Sequence, residues 1–176
     1  LTELLAKAAC DSDQGALKDF ELSDEEWYEL RIAAWLHDCG KVVTPVHVMD
    51  KATKLETITD RVATVEARFE VMKRDAEIGY LKTLLSDPSK EAEAKAIMDE
   101  ELKTLTEEFE FIEHVNVGGE YLPPEKQATI KSIAQRPYSG KGGGDILTSE
   151  EVHNLCVSKG TLTQNERLII NNHMVQ

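Results

Sequence analysis

No stretch of the 176 residues approaches the roughly eighteen consecutive apolar positions that a helical bilayer span needs, and no signal peptide is visible. Cysteine is scarce. Cys10, Cys39 and Cys156 are far apart, odd in number and form no CxxC pair. A disulfide framework or zinc knuckle finds no support, and a reducing, cytoplasmic setting is expected. Basic residues are in deficit: 20 Lys and Arg stand against 33 Asp and Glu, for a formal net charge of −13. Such a chain repels polyanions, which argues against nucleic acid as a partner. Convincing strand alternation is lacking too, as is any repeat other than heptads.

What the sequence does contain is helical. Hydrophobic residues make up 41% of it, enough to build a core. Leu1, Leu4, Leu5 and Ala8 recur at helical spacing. Ser23-Asp24-Glu25-Glu26 has the form of a capping box. It predicts a helix from about Asp24 to Cys39, ended by Gly40 in a left-handed turn, with Trp27 and Trp35 in the core. Two heptad stripes follow, Ile58-Val62-Val65-Phe69-Met72-Ala76 and Met98-Leu102-Leu105-Phe109-Ile112, separated by the turn signal Ser86-Asp87-Pro88-Ser89. They predict an antiparallel helical hairpin whose arms run some 26–28 residues, roughly 40 Å each. Each arm supplies the other's partner, which favours an intramolecular seam. The same stripes would serve a homodimer. Pro124 opens a helix through about Gln135, and the glycine-rich Pro137–Gly144 is expected to be a flexible linker. It lacks the GxxxxGK[ST] pattern and the preceding strand of a phosphate loop. Capping boxes at Thr148–Glu151 and Thr163–Glu166 start helices over about 149–157 and 164–175. The fold class is all-α. Both ends lie inside helical patterns, so the chain is expected to be a piece of a longer protein.

The chemistry concentrates in Leu36-His37-Asp38-Cys39-Gly40-Lys41. An adjacent imidazole and carboxylate offer a divalent cation one nitrogen and up to two oxygens. A lysine one turn on can hold a phosphate oxygen. Together these are parts for metal-assisted phosphoester hydrolysis.

Those residues, with Pro45 following, resemble the LHDxGKxxxP signature of the HD superfamily in its HD-GYP branch. His47-Val48-Met49-Asp50-Lys51-Ala52-Thr53-Lys54-Leu55 resembles that branch's ILxKPGxL run, and the segment from Gly160 to His173 resembles its GxLTxEExxxIxxH helix. In the family these two segments overlap in one short stretch; here about a hundred residues separate them. The resemblance implies a helical core in two parts, residues 1–56 and 147–176, interrupted by an insertion at 57–146 that holds the hairpin, a helix and the Gly-rich linker. It further implies metal ligation by His37, Asp38 (bridging two ions) and His173, with catalytic duty for Asp38 and Lys41 and substrate-phosphate contact by Lys41. The cofactors implied are divalent ions, iron or manganese. The substrate implied is a small anionic nucleotide, cyclic di-GMP, hydrolysed by metal-activated water. An upstream sensor domain is implied as well. The family's earlier metal-binding His has no counterpart in residues 1–36, and its later His-His pair, Asp and GYP loop do not occur in the chain. The chain alone is therefore expected to be inactive. The alternatives are a degenerate HD domain serving as a signalling or interaction module, and an HD phosphohydrolase acting on another nucleotide.

Overall fold

A computed structural model of the chain describes residues 1–140 and 143–172. Among these, helices dominate and the only β pairing is two isolated bridges, so the fold is all-α. The chain divides into two compact units: Leu1–Pro45 with the residues from Leu168, and Val46–Arg167.

The first unit contains α1 (Thr2–Cys10), α2 (Asp24–Leu36) and a 3-10 turn over Cys39–Val43. The capping box forms as expected. The Glu26 amide donates to Ser23 Oγ at 3.3 Å and the Ser23 amide donates to Glu26 Oε2 at 2.8 Å. The other end differs from expectation. α2 stops at Leu36, where the His37 amide closes the last turn on the Ala33 carbonyl at 2.9 Å. Gly40 is not a left-handed stop; it sits inside the 3-10 turn without a positive φ. Trp35 is not core either, being 77% exposed, and neither α1 nor α2 buries a residue. A segment this short has too little apolar surface to enclose a core of its own.

The second unit opens with α3 (Val46–Met49) and is built on α4 (Val62–Ser86) and α5 (Glu91–Asn116), the arms of an antiparallel hairpin turned at Pro88–Lys90. α6 (Pro124–Ala134) and α7 (Ser149–Leu155) complete it, and α8 (Gln164–Asn171) begins there. The heptad stripes form the seam. Val65 and Phe69 of α4 and Leu105 and Ile112 of α5 are all but fully buried, and the rings of Phe69 and Phe109 lie 5.6 Å apart. Ile58 falls outside the seam at 88% exposure, because Asp60 Oδ1 accepts from the Val62 amide at 2.9 Å and delays the helix start. Leu55, Ile130, Ile133, Ile146, Leu147 and Leu155 join the seam residues in one core at the base of the hairpin. The Gly-rich connection is clasped at its flanks. The Tyr138 amide donates to the Gly144 carbonyl at 2.7 Å and the Ile146 amide to the Arg136 carbonyl at 2.9 Å. Gly144 turns there with φ of 104°, which only glycine adopts freely.

Candidate functional site

His37 and Asp38 occupy the tight turn between α2 and the 3-10 segment. His37 Nδ1 lies 2.8 Å from the Ala34 carbonyl. A carbonyl only accepts, so Nδ1 carries the hydrogen and donates it. The other ring nitrogen, Nε2, then faces Asp38 Oδ2 at 3.2 Å. Two electron-rich atoms at that separation attract a cation or share a proton. Ligand atoms bound to one cation at roughly 2.0–2.2 Å sit about 3 Å from each other, so the spacing suits a shared divalent ion. Lys41 Nζ reaches Asp38 Oδ1 at 2.6 Å. All three side chains are at least a third exposed, so this ion pair contributes little to stability and remains accessible to solutes.

The donor set among the described residues is a half-site. They contain no group of three or more His, Cys, Asp or Glu able to hold a metal. His173, the third expected ligand, lies outside the described residues. His47, His114 and His153 are exposed.

The second unit contributes an arrangement that spacing alone does not reveal. Lys51, in the first separated segment, is buried with its ammonium donating to Glu166 Oε1 and Oε2 at 2.9 and 3.0 Å and to Asn154 Oδ1 at 3.2 Å. Thr161 Oγ1 donates to the Lys51 carbonyl at 3.1 Å. Lys54, also buried, donates to the carbonyls of Leu155 and Val157 at 3.0 and 2.8 Å, capping the last turn of α7 as a cation at a helix C-terminus does. Glu166 simultaneously closes the capping box that starts α8, accepting from the Thr163 amide at 2.7 Å. The run around Lys51 and the run from Gly160 are thus side by side, although more than a hundred residues part them in sequence.

No family model matches the chain, and no curated protein or solved structure is similar to it.

Burial tunes the titrating groups here. It pushes the Glu166 carboxyl up, but hydrogen bonds from Lys51 and Thr163 outweigh it and leave the group below the usual carboxylate range. Burial holds the Lys54 ammonium below the ordinary lysine value. The pairing role of Lys51 left one sequence signal: Lys51 and Glu166 occupy the two segments that resemble one family stretch in sequence. The buried capping role of Lys54 left none, because its acceptors are backbone carbonyls.

Proposed function

We propose that the chain is part of a metal-dependent phosphohydrolase of the HD-GYP type, acting on a cyclic dinucleotide such as cyclic di-GMP. The observation that carries the reading is that Lys51, in the first of the two resembling segments, pairs with Glu166 in the second. The pairing brings two segments that resemble one family stretch side by side across more than a hundred residues. Residues 57–146 lie between the two segments, and Lys54, just before them, donates to the Val157 carbonyl, after them, at 2.8 Å.

The His37–Asp38 pair fits a divalent cation in donor chemistry and spacing. Such an ion, when bound, would lower the pKa of water and offset charge on a phosphate. Asp38 offers two carboxylate oxygens, and Ala34 fixes the His37 ring with Nε2 turned toward Asp38. Lys41 holds a positive charge within reach of the same carboxylate, suited to a phosphate oxygen. The preferred substrate is small because a chain of net charge −13 gives no support to a long polyanion.

Equilibrium dialysis against Mn(II) tests the metal half of the proposal. Binding should be lost in His37→Ala and Asp38→Ala and kept in His153→Ala. Equal retention by Asp38→Ala and the unaltered chain would overturn it. Hydrolysis of cyclic di-GMP by a metal-loaded longer protein carrying these residues, and its loss on Asp38→Asn, tests the substrate half.

A further inference from the structure

The two halves of the hairpin are held differently. At the base, Val65, Phe69, Leu105 and Ile112 are all but fully buried and belong to the core. From Glu70 to Thr104, the stretch that includes the turn, Ala94 is the one buried residue among those described. Ala76, Tyr80, Leu84 and Met98 are only half-buried. A groove of about 450 Å³ opens between Ala76, Gly79 and Thr83 on α4 and Ala94, Ile97 and Met98 on α5. A methyl group at Gly79 would touch nothing within 4 Å. This half therefore lacks the close packing that holds a protein interior together.

Polar bonds do not tie the arms together there either. Among the described residues 76–98, side chains bond within their own helix or the turn: Arg74 donates to Glu77, Thr83 to the Gly79 carbonyl, Ser86 to the Thr83 carbonyl, and Ser89 to Asp87, which also faces Lys90. Exposed pairs of this kind contribute little. Most helical stability in a protein comes from a packed face rather than from the helix itself, and Gly79 in the middle of α4 weakens that helix further.

We infer that the outer half of the hairpin, residues 76–98, is a separate conformational unit that opens while the base stays folded. Its hinges lie between Met72 and Ala76 on α4 and between Met98 and Leu105 on α5. Opening it gives up two weakly packed helical segments and leaves every member of the core cluster in place. The inference is independent of the phosphohydrolase reading and requires no ligand.

Hydrogen exchange of the full chain, resolved along the sequence by NMR or mass spectrometry, tests this. Amides of residues 78–86 and 95–98 should be protected about a hundredfold less than those of residues 66–72 and 105–115. Gly79→Ala, at a site with room for the methyl group, should raise protection of the outer half about fivefold through its helix propensity and leave the base unchanged. Equal protection in the two halves overturns the inference, as does a Gly79→Ala change that raises protection in both halves together or in neither.

Discussion

Glu151 is 2% exposed, and its carboxylate is held by Arg68 through bonds of 2.7 and 3.2 Å and by the Thr148 amide at 2.8 Å. Burial raises its pKa, while the bonds from Arg68 and Thr148 lower it more, so the group stays below the usual carboxylate range. Glu166 is depressed for the same kind of reason. The sign of the linkage follows. A carboxyl whose folded pKa is depressed contributes stability above its unfolded value, about 4.3, and loses it as pH falls through the lower folded value. The urea midpoint should be nearly flat from neutral pH down to about 5 and then fall steeply, with a shallower fall in Glu151→Gln. Arg68→Leu leaves Glu151 buried without its cation and should cost about 3–5 kcal/mol. The double variant with Glu151→Leu should recover part of that loss, and a double-mutant cycle by urea denaturation measures the coupling.

At the scale of elements, local chemistry is a good guide where it is self-contained. The capping boxes at Ser23, Thr148 and Thr163 all form with their glutamates, because donor and acceptor lie three residues apart whatever surrounds them. The two heptad stripes find each other because a tight turn leaves few alternatives. What sequence spacing hides is tertiary: that Lys51 and Lys54 are buried, that Trp35 is exposed, and that α2 ends at Leu36 rather than Cys39. Lysine counts as surface in any local pattern, and only the arrival of Glu166 and the α7 carbonyls permits its burial. Of the candidate site, His37, Asp38 and Lys41 were legible since they are neighbours in sequence. For the seam, Phe69→Ala removes a ring packed on Phe109 at the base and should cost about 3–5 kcal/mol in thermal or urea unfolding. Ala76→Leu, facing the outer groove, should be tolerated with a change below about 1.5 kcal/mol.

For the second unit taken whole, residues 57–146 could be an appendage or part of the structure that holds Lys51 against Glu166. The core answers for the second. Leu55 and Leu155, which flank the junction, are fully buried, and they share one cluster with Val65, Phe69, Leu105, Ile112 and Ile130 of the hairpin and α6. The Asn116 side chain at the end of α5 accepts from the Leu55 amide at 2.7 Å and donates to Asp60, while its carbonyl accepts from the Lys54 amide at 2.8 Å. Removing residues 57–146 therefore strips the segments around Leu55 and Leu155 of both their apolar partners and a buried hydrogen-bond clamp. A variant with residues 57–146 replaced by a short Gly-Ser linker should lose cooperative unfolding, even though Lys51 and Glu166 are both retained. Asn116→Ala keeps the insertion and removes only the clamp. It leaves the Leu55 amide without its acceptor, a cost of about 1–3 kcal/mol, and should lower the urea midpoint while leaving the transition cooperative. If the shortened chain instead unfolds as sharply as the full one, the junction is self-sufficient and the hairpin is an appendage to it.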